Sequence, residues 1–196
     1  METFEGTRAL ITGGASGIGL GLATALLERG AAAVALLDVD REPLDAAVAR
    51  LAADGSQVLG IVADVTDQVG VDAAVARAWE ELGGIDVVCL NAGVFAGGRA
   101  WEATEDDFEW VMGVNLRGVA NGMRAVVPRL IAAGRPSHVL VTASIAGVVA
   151  APVSAPYVTS KFAALGLTEC LHHDLTLMGI GHVGVSVICP ASSHST

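Results

Sequence analysis

Tyr157 and Lys161, the only tyrosine and the only lysine of this chain, are the residues whose types and spacing most clearly indicate chemistry. On an α-helix, residues four positions apart lie on one face, so the phenol and the ammonium are predicted to be neighbours. A free phenol, with a pKa of about 10, is a poor base at neutral pH, and a nearby ammonium favours its ionised form. We therefore predict that the pair performs general acid–base catalysis. A packing aromatic beside a solvated helix charge is the alternative.

A glycine-rich turn follows the first predicted strand, in the order Thr12-Gly13-Gly14-Ala15-Ser16-Gly17-Ile18-Gly19. Glycines allow a backbone to turn tightly and to approach a pyrophosphate, which then binds at the N-terminus of the next helix. The candidate residues for this contact are Gly13, Ser16, Gly17, Ile18 and Gly19. Their spacing is not the common G-x-G-x-x-G, so a strand-to-helix turn without a ligand stays open.

Asp38 ends the second apolar run, 19 positions after Gly19. A carboxylate at this place can accept hydrogen bonds from both hydroxyls of an adenosine ribose and would repel a 2′-phosphate, which favours NAD over NADP. Asp40 is a rival carboxylate, although Asp40-Arg41-Glu42-Pro43 reads better as the start of a helix. A methyltransferase that uses S-adenosylmethionine would share the turn and the acid, but it has no need of a Tyr/Lys pair.

Strand-like and helix-like segments alternate along the whole chain. Apolar β-type runs are found at Arg8–Thr12, Ala33–Asp38, Gln57–Val62, Ile85–Leu90, His138–Thr142 and Val183–Cys189. Segments with helical spacing lie between them, at about 17–29, 41–54, 67–82, 104–132 and 156–178. This alternation predicts a single α/β domain over residues 1–196, with a doubly wound parallel sheet of the Rossmann type in three layers. Runs that are apolar throughout predict strands covered on both faces.

Composition excludes several classes of function. A net charge of −10 argues against nucleic acid as a partner. Charges interrupt every long apolar run, so we expect no transmembrane segment, and the acidic start does not resemble a signal peptide. The three cysteines are odd in number and widely spaced, which favours free thiols in the cytoplasm. The adjacent His172 and His173 point in different directions on a helix, so we expect no metal site.

The sequence resembles the short-chain dehydrogenase/reductase family at the residues described above and at several others. The resemblance covers essentially the whole chain. The matching motifs, in family order, are Thr12 to Gly19 (TGxxxGIG), Asp64-Val65, Asn91-Ala92-Gly93, Asn115, Ser144 and Tyr157-Val-Thr-Ser-Lys161 (YxxxK). Each motif alone is weak, but all of them in order, on the predicted elements, are very specific. The resemblance implies an oxidoreductase that uses a nicotinamide cofactor, with the dinucleotide fold predicted above.

The resemblance also implies a role for each catalytic residue. Tyr157 would be the general acid/base, and Lys161 would activate it and bind the ribose hydroxyls. Ser144 would orient the substrate oxygen, and Asn115 would hold a water molecule that relays protons. For Ser144 a strand-end cap, and for Asn115 a purely backbone-bonding role, stay open as alternatives.

Other positions are implied to contact the cofactor. Asp64 and Val65 would lie at the adenine ring, and Asn91, Ala92 and Gly93 would border the nicotinamide ribose, with Pro190 nearby. Asp64 could instead cap the next helix, and Asn91 could be architectural. Family members continue well beyond their sixth strand, so we expect here an open edge strand, a pocket without its lid, and a fragment of a longer protein. The family's threonine at the carboxamide has only Ser195 or Thr196 as candidates.

The expected function is an NAD-dependent interconversion of a secondary alcohol and a ketone. The rival is a protein that binds NAD for regulation without turnover. The apolar stretch Ala146–Pro152 points to an uncharged or hydrophobic substrate, whose identity the sequence does not give. By the resemblance we expect a homodimer or homotetramer, with the helices near 104–132 and 156–178 at the dimer contact.

Overall fold

The computed structural model describes residues 4–53 and 55–191. Strands and helices alternate along them. The strands are β1 (Arg8–Thr12), β2 (Ala33–Asp38), β3 (Gln57–Val62), β4 (Val87–Leu90), β5 (Ser137–Thr142) and β6 (Val183–Ile188). The helices are α1 (Gly17–Glu28), α2 (Arg41–Ala52), α3 (Gln68–Glu81), α4 (Glu105–Met112), α5 (Gly118–Ala133) and α6 (Ala155–Leu177). A π-helical segment (Gly113–Arg117) joins α4 to α5, and a short 3-10 turn (Ile145–Gly147) follows β5.

The six strands form one parallel sheet in the order β3-β2-β1-β4-β5-β6. The chain builds outward from β1 to β3, crosses back, and builds outward again from β4 to β6. β1 and β4 are therefore neighbours, with Leu10 opposite Val88. In such sheets a crevice opens at the carboxyl ends of the strands where the order reverses, and ligands bind there. The predicted doubly wound α/β fold is confirmed.

Two apolar cores lie on the two faces of the sheet. Leu10, Leu37, Val88 and Leu90 face α3, α5 and α6. The alternate side chains, such as Ile11 and Leu36, face α1 and α2. This alternation follows from the two-residue period of a strand, and it gives the three predicted layers.

The coverage of β5 is less complete than its apolar run predicts. Every residue of β2 except Asp38 is buried, whereas His138 and Leu140 of β5 are only half-buried. Their side of the sheet carries α1 and α2, which pack on β1, β2 and β3 instead. A ring nitrogen of His138 (Nε2) lies 2.8 Å from the Ser186 hydroxyl on this face. Within the described residues, β6 pairs with β5 alone.

The long helix predicted near 104–132 is divided by the π-helical segment. A capping box between Thr104 and Asp107 starts α4, and Gly134 in a left-handed conformation ends α5. A Cβ on Gly118 would lie 2.7 Å from the Val65 side chain, so the helix approaches the loop after β3 closely at this point. π-Helical insertions are rare in proteins, but many of those that occur lie at functional sites. This one carries Asn115.

Candidate active site

A cleft of about 1810 Å³ lies along the carboxyl ends of the strands. The residues predicted for catalysis and for cofactor binding that line it are Gly13, Ser16, Gly17, Ile18, Asp38, Asp64, Val65, Asn91, Ala92, Gly93, Ser144, Tyr157, Lys161 and Pro190. Two predicted residues do not line it. These are Gly19, which packs against Gly13 of the cleft lining, and Asn115, which is hydrogen-bonded to Val94 of the cleft lining.

The glycine turn is built by close backbone packing. A Cβ on Gly19 would collide with the carbonyl oxygen of Gly13 and would lie 2.7 Å from the side-chain nitrogen (Nδ2) of Asn91, so this position requires glycine. Gly17 begins α1 with a φ of +51°, and a Cβ there would meet no atom within 4 Å. The start of α1 is thus open toward the cleft, as a helix N-terminus that receives a phosphate must be.

Asn91 ties the glycine turn to β4. Its side chain donates hydrogen bonds to the carbonyl oxygens of Thr12 (3.1 Å) and Gly13 (3.3 Å). The backbone amides of Asn91 and Ala92 donate to the Thr12 hydroxyl at 2.9 and 3.1 Å. The architectural role considered for Asn91 is therefore present, and Asn91 also lines the cleft.

Asp38 is held at the other end of the turn. One carboxylate oxygen accepts a hydrogen bond from the Ala15 amide (3.0 Å) and the other accepts one from the Asp40 amide (3.3 Å). Asp40 occupies the cap position of α2, but its side chain makes no capping bond. Arg50, an exposed residue of α2, also lines the cleft, and the sequence pattern gave no signal of this.

The loop after β3 is anchored by Asn121. Its side chain donates to the carbonyl oxygens of Val65 (2.9 Å) and Thr66 (3.3 Å). Asp64 is exposed and accepts a hydrogen bond from the Thr66 amide at 2.8 Å. The cap of α3 is Asp67, whose side chain accepts from the Val69 amide at 3.0 Å, so Asp64 is not that cap.

Tyr157 and Lys161 lie together in the cleft wall, on the first turns of α6. The Lys161 ammonium nitrogen is 5.7 Å from the centre of the Tyr157 ring, and it donates a hydrogen bond of 2.9 Å to the carbonyl oxygen of Thr142. Lys161 is only 4% exposed. Burial lowers the pKa of its ammonium from 10.5 to about 8, and the nearby Cys189 acts in the opposite direction. A Cβ on Gly93 would be 3.3 Å from this ammonium, so a side chain there would crowd it.

Ser144 follows β5 on the same wall. Its hydroxyl oxygen accepts a hydrogen bond of 3.1 Å from the Ala146 amide, so it caps the 3-10 turn while it faces the cleft. The turn is also fixed by Pro190, whose carbonyl oxygen accepts from the Ile145 amide at 3.0 Å. Ser195 and Thr196 lie outside the described residues.

Asn115 is buried and joins three elements. Its side-chain oxygen accepts from the Val94 amide at 2.8 Å, and its nitrogen donates to the Val94 carbonyl and to the Ser160 hydroxyl, each at 2.9 Å. The Ser160 hydroxyl in turn donates to the Tyr157 carbonyl at 2.7 Å. The network therefore positions the backbone of Tyr157 relative to the loop after β4.

Two aromatic residues that belong to no motif also line the cleft. The Phe95 ring is 5.2 Å from the Tyr157 ring at an interplanar angle of 61°. Trp110 of α4 lines the cleft and is exposed.

Comparison with known proteins identifies the family of this chain. The family model for short chain dehydrogenase matches residues 7–196. The chain belongs to the short-chain dehydrogenase family. The resemblance inferred from the motifs is thereby confirmed.

The chain is similar to individual family members over most of its own length but over only part of theirs. The C alpha-dehydrogenase of Sphingobium sp. is 40% identical over 200 residues, which span 100% of this chain and 63% of that protein. The 1-deoxy-11-beta-hydroxypentalenate dehydrogenase of Streptomyces exfoliatus is 42% identical over 184 residues, 93% of this chain and 66% of that protein. A short-chain dehydrogenase/reductase from Burkholderia phymatum, solved in complex with NAD, superposes with a TM-score of 0.94 at 40% identity, over 97% of this chain and 67% of that one. The chain thus spans just under two thirds of the two curated relatives.

The described residues contain no group of three or more His, Cys, Asp or Glu side chains that could hold a metal ion. In the same part of the chain, no helix is both long and apolar enough to cross a membrane.

Proposed function

We propose that the protein is an NAD-dependent oxidoreductase that interconverts a secondary alcohol and a ketone. The observation that carries the proposal is the buried Lys161 beside the Tyr157 ring, in the cleft that also holds the glycine turn and Asp38. Because the chain spans 63% and 66% of the two curated relatives, this is a proposal about the activity of the whole protein. The dehydrogenase names of those relatives support it.

Each catalytic residue has a proposed part. Tyr157 exchanges a proton with the substrate oxygen as general acid/base. Lys161 keeps a positive charge close to the phenol, and its low exposure makes that charge effective. Ser144 is proposed to donate a hydrogen bond to the substrate oxygen, since its hydroxyl accepts from the Ala146 amide and no described residue accepts its proton. Asn115 is proposed to act through position, because its side-chain nitrogen is committed to Val94 and Ser160.

The residues of the cleft fit a dinucleotide. The open N-terminus of α1 suits the pyrophosphate, and the carboxylate of Asp38 suits the ribose hydroxyls. Asp64, Val65, Ala92, Gly93 and Pro190 are proposed to complete the cofactor site. When bound, NAD supplies the hydride acceptor or, reduced, the donor. Asp38 supports NAD over NADP, and the exposed Arg50 is the feature that a 2′-phosphate could use instead.

The test compares wild type with Tyr157→Phe, using protein expressed from the complete reading frame. We expect wild type to oxidise NADH with at least one member of a ketone panel. The variant should lose about 100-fold or more in kcat while it keeps its NADH affinity, because general acid–base groups contribute typically 10²–10⁴-fold. Tight NADH binding by wild type without turnover on any substrate would support the regulatory alternative instead.

Organisation and assembly are proposed on structural grounds. One continuous sheet supports a single domain. Exposed apolar side chains on α6, Phe162 among them, support a homodimer or homotetramer, which light scattering of the purified protein would test. Cys89, Cys170 and Cys189 are all free thiols, which supports the cytoplasm as the compartment.

A further inference from the structure

Phe95 forms a wall of the cleft next to the proposed reacting group. Its ring contacts the Tyr157 ring at 5.2 Å, yet the residue is 58% exposed. A large aromatic residue that is packed on one side and left open on the other presents its free surface to whatever enters the cleft. The Tyr157 phenol is proposed to meet the substrate oxygen. The groups attached to the carbon that bears this oxygen must therefore lie close to Phe95.

The backbone holds Phe95 and Tyr157 in a fixed relation. The amide of Gly98, in the Phe95 loop, donates a hydrogen bond of 2.9 Å to the carbonyl of Val153. Gly98 also pairs with Ser154, the N-cap residue that precedes α6. Val153 has a φ of +52°, which a β-branched residue rarely adopts, so the contact holds an unfavourable conformation in place. The wall is therefore a built feature and not a loose loop.

The rest of this side of the cleft is mostly apolar, and no exposed cation of α4 or α6 lines it. Trp110, Ile145 and Ala151 line it with Phe95, and Glu109 adds a negative charge.

None of the three cations that line the cleft is an exposed residue of the Phe95 loop or of α6. Lys161 is buried against Thr142, and Arg50 belongs to α2. Arg117 lies in the π-helical segment, whose Gly113 packs beside Thr66 after β3. Arg99, in the same loop as Phe95, is outside the cleft lining and is paired with Glu102. A substrate carboxylate or phosphate would thus find no unpaired cation in the described lining beside Phe95.

We propose that Phe95 is a specificity-determining residue, and that the substrates are uncharged secondary alcohols or ketones carrying an aryl or similarly bulky apolar group. This inference rests on the proposed function and names the substrate class of the same site. The ring would pack on the apolar group, as Tyr157 meets the oxygen. A small alcohol would leave the ring surface uncovered and gain nothing from it.

The experiment measures kcat/KM for three alcohols with saturating NAD: 1-phenylethanol, 2-propanol and 4-(1-hydroxyethyl)benzoate. The proteins are wild type, Phe95→Leu, Phe95→Tyr, and Trp101→Leu as a matched loss of an aromatic residue from the same loop, outside the cleft lining. Wild type should prefer 1-phenylethanol to 2-propanol, and it should turn over the carboxylate more slowly than 1-phenylethanol. Phe95→Leu should lower the 1-phenylethanol/2-propanol ratio about three- to tenfold, the range of an aromatic pair contact. Phe95→Tyr should restore the ratio, and Trp101→Leu should leave it unchanged.

A purely structural role of Phe95 would reduce both alcohols alike, so an unchanged ratio in Phe95→Leu overturns the inference. A wild type that handles the carboxylate as well as 1-phenylethanol overturns it too. If wild type turns over none of the three alcohols and no ketone, the proposed function itself fails, and this result is distinct from turnover with an unchanged ratio.

Discussion

Asn115 and Ser160 are joined by a buried hydrogen bond of 2.9 Å that connects the π-helical segment to the first turns of α6. Ser160 passes the connection to the carbonyl of Tyr157, and Asn115 holds both backbone polar groups of Val94. Fully satisfied buried networks of this kind rigidify a site. Four hydrogen bonds among three segments thus fix the backbone on which the phenol is carried.

Removing the hydroxyl by Ser160→Ala should destabilise the fold and disturb the site. One N–H of Asn115 would then be buried without an acceptor, which costs about 1–3 kcal/mol of unfolding free energy. We expect kcat to fall while NAD affinity changes little, because the glycine turn and Asp38 are distant in the chain and untouched. Urea unfolding and steady-state kinetics measure the two effects. Thr159→Ala, at the adjacent exposed position, is the control and should stay within about 0.5 kcal/mol. Equal losses in the two variants would contradict the role of the network.

Because the Lys161 ammonium is buried, we expect the stability of the fold to rise with pH. The pKa of its ammonium is about 8 in the folded chain against 10.5 ordinarily, so between these values the unfolded chain binds more protons. Stability increases with pH wherever that holds. The penalty for burying the charge is fully present below pH 8 and is relieved as the pH rises toward 10.5; its size is on the order of 3 kcal/mol.

The Cys89 thiol makes the unfolding free energy fall with pH, and this effect begins at higher pH than that of Lys161. Burial raises the pKa of its thiol from 9.0 to about 12, so above pH 9 the unfolded chain loses this proton first and stability falls. We therefore expect the unfolding free energy from urea titrations to rise between about pH 8 and 9 and then to level off. In Cys89→Ala the rise should continue to higher pH, and in Lys161→Met it should be absent. The same rise in Lys161→Met and wild type would rule out Lys161 as its source.

Most of the fold was predictable because its signals are local. All six apolar runs became strands, with ends shifted by at most two positions; β4, for example, begins at Val87 and not at Ile85. The interruption of the long helix was not predicted; it ends next to Gly118, which approaches Val65 closely, and no local pattern reports such a tertiary contact. The half-covered state of Leu140 likewise depends on where α1 and α2 pack.

The candidate site divides in the same way. Tyr157, Lys161 and the glycine turn were found because their spacing follows the geometry of one helix or one turn. Phe95 was missed as a neighbour of Tyr157, because the two residues meet only when separate loops are brought together across the sheet edge. Arg50 was missed because its approach to the cleft depends on the rotation of α2 about its axis.

Asp38→Asn should change the preference between cofactors. The carboxylate is proposed to accept hydrogen bonds from the ribose hydroxyls, and hydrogen bonds to charged groups contribute about 1.5–3 kcal/mol. We expect NAD to bind about tenfold more weakly and NADP to bind no worse, because asparagine no longer repels a 2′-phosphate. Isothermal titration with both cofactors measures this. Asp40→Asn is the matched control, since that carboxylate also lines the cleft. If it reproduced the effect, Asp40 would be the ribose ligand.

Val153 offers a test of conformational strain at the substrate side of the cleft. Its φ of +52° lies in the left-handed region, which costs a residue with a Cβ roughly 1–2 kcal/mol and which asparagine tolerates better. Val153 is exposed, so Val153→Asn gives up little packing and should raise the unfolding free energy by about 1 kcal/mol. Val148→Asn is the control, because Val148 is equally exposed but has a φ of −115°. Thermal unfolding of both variants decides the matter, since a gain confined to position 153 follows from strain and a gain at both positions follows from removing exposed valine.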